Sequence, residues 1–285
     1  MSLESIILVS GGALLGALFA RLDAKRRRSR TSLTCKAETI PKVARLPILH
    51  PDWVAENGVK QPHPYQRQPF TSLDPQVIRH RLYPFVVSAI LPRPIALIST
   101  ISKQGVTNLA PYSFFNVMSF DPPYITVGAL TTRNRPGTGI KDSQENISDT
   151  GEFVVNIISH WMLEAANETC GDYPHDVSEW DKSTLTPIPS LKVKPPRVAE
   201  SVIHLECVLR HEYPVPNREG HPHASILIAE VVMMHANEGV LEKDDKGRPC
   251  VNLEKLAPIS KVGYLDYGLT TATVEMEMPH HKLPS

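Results

Sequence analysis

The chain has 285 residues, with 30 Lys and Arg balancing 30 Asp and Glu, so its formal net charge is zero and nothing global points to nucleic acid. This length buries a real core and allows one large domain or two small ones, and 26 prolines against 15 glycines suit a loop-rich β protein better than a helical bundle. The four cysteines, Cys35, Cys170, Cys207 and Cys250, show no CxxC or Cys/His spacing, which disfavours zinc and thioredoxin-like chemistry and favours a reducing compartment.

Residues 1–30 read as a membrane anchor or targeting segment with a basic flank. The run 5–20 carries no charge, and Arg21, Lys25, Arg26, Arg27, Arg28 and Arg30 follow it. Sixteen helical residues span about 24 Å against a hydrocarbon core of about 30 Å, and extension to Leu22 brings 5–22 nearer to spanning length. The charges follow the apolar run, the wrong polarity for a cleaved signal peptide, and they place the main body on the cytosolic side. A mitochondrial presequence or a plain extension of a soluble protein stay open beside the anchor. Residues 31–69, with Pro41, Pro47, Pro51, Pro62, Pro64 and Pro69, read as a linker. The compact domain is expected over 70–270 and a tail over 271–285.

Within the domain, 73–86 offers a helical turn or two before Pro84. Ile95–Ile101 is apolar throughout, as a strand buried on both faces would be, and Lys103-Gln104-Gly105 turns it into Val106–Leu109. Ala110–Phe120 reads as a bent segment re-entering the sheet, and Asp121-Pro122-Pro123 stops it before the strand Tyr124–Leu130. Asp142 with Glu145 has capping-box spacing and predicts a helix over 143–149 ending at Gly151, followed by the strand Phe153–Ile158. His160–Glu168 reads as a second short helix. The proline-punctuated 170–196 is a long arm of the kind that forms lids or interfaces. Ile203–Tyr213 and Ser225–His235 return to strand character, residues 239–250 form a hairpin, and the last twenty residues offer an edge strand. The sum is a mainly β, antiparallel barrel of six or seven strands with a few short helices.

The chemistry concentrates between Asn108 and Ser143. Free N–H groups at a helix start bind anions, and Lys141 and Ser143 flank the expected cap Asp142. Gly137 and Gly139 let the preceding loop curl, and Arg133 and Arg135 add charge. The bland alternative is a capped surface helix behind a solvated basic loop. Asn108, Ser113 and Asn116 stand among Tyr112, Phe114 and Phe115, which makes either a packed aromatic core or a shelf for a flat heterocycle. His221, His223, His280 and His281 lack further metal ligands, so no metal is expected. Cys170 has no identifiable base. A phosphate cradle without a catalytic triad suits a protein whose cofactor carries the chemistry.

The segments RPIALIST, NLAPYSFFNVMSFDPP, GIKDSQENISDTGEFVVN, LEAANETCGDYPHDVSEW, VKPPRVAES, HLECVL and ILIAEVV, in this order, resemble the flavin reductase-like proteins that bind FMN in a split β-barrel. The resemblance covers about 80–265. It implies that Asn108, Ala110, Tyr112, Ser113, Phe115 and Asn116 line the flavin ring and ribityl chain, and that Lys141, Asp142 and Ser143 hold the phosphate. Ser143 stands where the family usually has Thr, and Ala229 where it has Gly. His223 lies one residue further from the late-strand Glu than the nicotinamide-side His. The resemblance further implies an FMN-dependent oxidoreductase fed by NAD(P)H, acting as a homodimer. A non-catalytic FMN carrier or sensor, and a tethered scaffold with a flavin-free barrel, are the rival readings.

Overall fold

The residues of the first long apolar run alternate between two different cores. In a computed structural model of the chain, residues 40–58, 63–132, 139–171, 173–174 and 177–277 are described. The run forms strand β1 (Ala96–Ile101). Its Ala96 and Ile98 enter an inner core with Val127, Phe153, Val155, Cys207 and Leu227. Leu97 points the other way, to an outer cluster with Leu109, Ile158, Met162, Trp180 and Val198. Side chains alternate across a strand, so a strand covered on both faces is continuously apolar.

The other main strands are β2 (Thr107–Tyr112), β3 (Phe115–Phe120), β4 (Pro123–Leu130), β5 (Glu152–Ile157), β6 (Ile203–Pro216) and β7 (Pro222–Ala236). They form one seven-stranded sheet in the order β2-β1-β5-β6-β7-β4-β3, and every neighbouring pair is antiparallel. β2 and β3 are the two edges, yet only Ser113 and Phe114 separate them in the chain. Flat strands about 4.8 Å apart would hold such edges about 29 Å apart, while three peptide links reach about 11 Å. The sheet therefore has to curl until its edges meet, and no ladder joins them: this is a split β-barrel.

Short helices decorate the sheet. Helix α1 (Tyr83–Ala89) carries Pro84 in its first turn, so that proline begins a helix instead of stopping one, its missing N–H falling where no intrahelical bond is due. Helix α2 (Asp142–Thr150) ends at Gly151 in the left-handed conformation. Its N-cap is Lys141 rather than Asp142, and the Lys141 side chain makes no capping hydrogen bond, so the capping-box expectation fails. Helices α3 (Leu163–Glu168) and α4 (Glu179–Ser183) pack outside the barrel.

The arm 170–196 folds back onto its own barrel: Trp180, Leu185 and Val193 are buried. The expectation that it offers apolar surface to a partner is corrected for these residues. The 239–250 hairpin forms, with Leu241–Lys243 paired to Pro249–Val251. The late strand Ala272–Val274 pairs in parallel with Ala44–Leu46 of the Pro-rich stretch instead of adding to the main sheet. Residues 1–30, with the uncharged run, lie outside the described residues. Among the described residues no helix is long and apolar enough to cross a membrane.

Two buried polar residues hold the arm. Asn156 donates to Leu97 O (3.0 Å) and accepts from Val198 N (2.9 Å). The Glu206 carboxylate, fully buried, accepts from the N–H groups of Leu191 (2.8 Å), Lys192 (2.6 Å) and Val193 (3.2 Å), with His235 Nε2 at 2.6 Å. Burial raises the pKa of this carboxyl, but the N–H donors and the His235 ring outweigh it and hold the group below its ordinary value. A depressed carboxyl stabilises the fold above its unfolded value of about 4.3, and that contribution is lost as pH falls through the folded value. Glu206→Gln is expected to cost about 2–3 kcal/mol at neutral pH, because an amide N–H then faces backbone donors. Urea titrations at several pH values should show the gap between the two proteins closing as the wild type is acidified below pH 4.

Candidate functional site

Asn108, Ala110 and Tyr112 are alternate residues of β2 and share one face, against which α2 is set. Ala110 and Tyr112 pack on the inner core. Asn108 is buried with its amide 2.7 Å from Ser143 Oγ. The donors and acceptors around it require Oδ1 to face the Ser143 hydroxyl and Leu109 N. Nδ2 then donates to Glu179 Oε1 at 3.1 Å and Oε2 at 3.3 Å. Glu179, at the start of α4, ties the folded-back arm to the site. Sequence reasoning missed it, since one carboxylate in a polar run carries no periodic signal.

Polar contacts also fix α2. Asn146 donates to Thr100 Oγ1 (3.0 Å), Gln144 to Ser225 Oγ (2.8 Å), and Ser148 to Glu212 Oε2 (2.6 Å). The buried Gln144 Oε1 has no partner among the described residues. At the N-terminus the Lys141 backbone is extended, and Glu145 N donates to Lys141 O at 3.0 Å. The earlier N–H groups of a first turn have no intrahelical acceptor. The Lys141 ammonium stands over the Tyr112 ring, 5.6 Å from its centroid.

The loop before α2 is pinched at its base. Thr132 N donates to Gly139 O at 2.8 Å, and Thr131 donates through N (2.9 Å) and Oγ1 (3.0 Å) to His223 O. Gly139 has φ +68°, and a Cβ there would overlap Thr132 O. Arg133, Arg135 and Gly137 lie outside the described residues.

Ser113, Phe115 and Asn116 form a second group. They line a groove of about 310 Å³ with Val86 and Ile90 at α1 and with Pro92. Buried Arg93 closes its floor by donating to Val87 O, Ile90 O (3.1 Å) and Gly263 O (2.9 Å). The expected site residues thus fall into two sets: Asn108, Ala110, Tyr112, Lys141, Asp142 and Ser143 around the start of α2, and Ser113, Phe115 and Asn116 in the groove.

Other candidates are less engaged. Burial pushes the Cys170 thiol pKa up, although Lys261 and Lys141 pull against it, so the neutral thiol dominates. His221 and His223 are exposed, and His280 and His281 lie outside the described residues. Ala229 is fully buried in the inner core, and Glu230 is taken by Arg210 Nε at 2.8 Å. A phosphate-bearing ring ligand fits the donor set here. The start of α2, the Lys141 cation and the glycine-pinched loop suit an anion, and the apolar groove with Ser113 and Asn116 suits a flat polar ring.

The pinch is directly testable. Gly139→Ala forces a Cβ into the Thr132 carbonyl at positive φ, so a loss of about 1–3 kcal/mol is expected. Hydrogen exchange should show the Thr132 amide losing its protection while the β1 amides keep theirs.

Residues 88–254 match the family described as flavin reductase like domain. An uncharacterized protein of Halalkalibacterium halodurans is 35% identical over 201 residues, covering 70% of this chain and 92% of that protein. Among solved structures, nitrilotriacetate monooxygenase component B from Bacillus cereus has a TM-score of 0.64 at 32% identity, covering 75% of this chain and 99% of that one. A putative flavin reductase with split barrel domain from Shewanella frigidimarina shares the fold, with a TM-score of 0.57 at 21% identity over 74% of this chain and 95% of that one. The curled seven-stranded sheet and these matches give one conclusion: the chain belongs to the flavin reductase-like family.

Proposed function

We propose that the chain is an FMN-dependent oxidoreductase that takes hydride from NAD(P)H and passes electrons to an acceptor. The observation that carries this reading is the start of α2, where Lys141 and buried Ser143 flank the helix N-terminus behind a loop closed by Gly139. FMN, when bound, would supply the hydride and electron transfer that no side chain here can perform. The residues bind and orient. First-turn N–H groups and Lys141 would hold the phosphate, and Ser143, placed by Asn108, would turn its hydroxyl from Asn108 Oδ1 to the phosphate. Phe115, with Ser113 and Asn116, lines the groove for the ring and keeps water from one side of it.

The same reading includes a homodimer. Edge strand β3 leaves Val117, Met118 and Phe120 exposed, Phe120 at 91%, and a bare apolar edge invites pairing. A two-fold contact there closes the assembly.

Lys141→Ala combined with Ser143→Ala is expected to weaken FMN binding about 100-fold or more, each lost charge-assisted bond being worth about 1.5–3 kcal/mol. Fluorescence titration measures this, with circular dichroism to confirm the fold, and unchanged affinity would remove the site. Anaerobic mixing of the FMN-loaded wild type with NADH or NADPH should bleach the flavin; a persistent oxidised spectrum with both would end the oxidoreductase reading. For the assembly, Phe120→Asp with Val117→Asp is expected to shift sedimentation from dimer to monomer at micromolar concentration. A wild type that sediments as a monomer would rule the dimer out.

A further inference from the structure

Glu179, Asn108 and Ser143 come from three separate elements: the arm, the edge strand β2 and the start of α2. All three are buried, at 8%, 7% and 1% exposed. The arm is fixed there by packing, since Trp180 and Leu185 share the outer cluster with Leu109 of β2. The Glu179 carboxylate accepts from Asn108 Nδ2 at 3.1 and 3.3 Å. Asn108 Oδ1 then accepts from Leu109 N at 3.1 Å and from the Ser143 hydroxyl at 2.7 Å. A carboxylate has no hydrogen to give, so it admits only the nitrogen end of the Asn108 amide. The oxygen end must face Ser143, and a hydroxyl can bond that oxygen only by donating its single hydrogen. A residue of the arm thereby dictates, through Asn108, where the Ser143 hydrogen points.

That hydrogen is the one an anion at the start of α2 needs. We propose that Glu179 is a positioning residue that restrains this site: by locking the Asn108 amide it ties up the Ser143 hydroxyl, and a bound oxyanion has to draw the hydroxyl away. A phosphate makes a charge-assisted bond strong enough for that exchange, while a neutral acceptor gains little by it. Glu179 therefore favours oxyanions over neutral ligands, at a cost in affinity. The inference rests on the flavin reading for the anion site at α2 and for the ligand that carries the phosphate.

The full chain should be titrated with FMN and with riboflavin as wild type, Glu179→Gln, Ser143→Ala and the double variant. Gln can donate to Asn108 Oδ1, so the Asn108 amide can reverse, donate to Ser143 Oγ and leave the Ser143 hydrogen to the anion. The charge-assisted bond outweighs the Leu109 N–H bond given up, and FMN is expected to bind about tenfold more tightly, with riboflavin unchanged. In the Ser143→Ala background the same substitution should leave FMN affinity unchanged, whereas a direct repulsion between Glu179 and the phosphate would persist there. Shielding of Trp180, the buried one of three tryptophans, from acrylamide checks that the arm stays docked. Glu179→Met, which also removes the acceptor, takes the place of Gln if the arm is lost. Loss of the arm in both variants overturns the proposal, and so does unchanged or weaker FMN binding. Equal tightening of riboflavin, or equal tightening of FMN without Ser143, overturns it too. A wild type that binds neither FMN nor riboflavin sinks the flavin reading alone. The restraint is then decided by thermal unfolding in phosphate against chloride at equal ionic strength: a larger phosphate stabilisation in Glu179→Gln than in wild type supports it, and an equal or smaller one overturns it.

Discussion

Everything in this domain depends on two residues joining the two edges of one sheet. Ser113 and Phe114 leave β2 no choice but to meet β3, and that short link converts an antiparallel meander into a curled enclosure with an inside. The close approach is built into the partner strand. Gly128 N donates to Phe114 O at 2.7 Å, and a Cβ at Gly128 would crowd the Phe114 side chain at 3.0 Å. Once the edges meet, the inner core is sealed by residues from β1, β4, β5, β6 and β7. The groove at Ser113, Phe115 and Asn116 is a direct product of the link, because the chain turns there with its polar groups outside the core.

The second layer of order is polar rather than apolar. α2 is short, and much of what fixes it comes from amide and hydroxyl groups reaching Thr100, Asn108, Glu212 and Ser225. Such bonds are directional, so they set the rotation and height of the helix start more sharply than packing alone does. A site that must present backbone N–H groups to one anion benefits from that precision. The arm contributes through Glu179 on one side and through the Glu206 carboxylate on the other, both held inside the protein.

Strand positions were legible in the sequence wherever an apolar run met a turn signal, as at Ile95–Ile101 and Phe153–Ile158. The helix starts were read less well. Pro84 signals a stop or a first turn with equal force until its neighbours are known, and Asp142 has capping spacing that Lys141 pre-empts by taking the extended backbone conformation. Residues around the start of α2 were legible because they are close in sequence and share a chemistry. Glu179, Arg93 and Lys261 were not, because each reaches its partners across a fold that local patterning does not encode. The arm shows the same limit: its prolines announce a loop, but only the three-dimensional positions of Trp180 and Leu185 reveal which surface it covers.

The parallel pairing of Ala44–Leu46 with Ala272–Val274 bears on the order in which the protein can assemble. The earlier strand leaves the ribosome long before its mate exists, so it has no template until almost all of the domain has been made. Leu49 and Trp53, which follow it closely and remain exposed even in the finished structure, travel through synthesis beside an unpaired strand. The barrel, whose strands all come from residues 96–236, can close before that late step. The last described strand therefore acts as a clasp on the first, fastened after the chemistry-bearing part of the molecule is already in place.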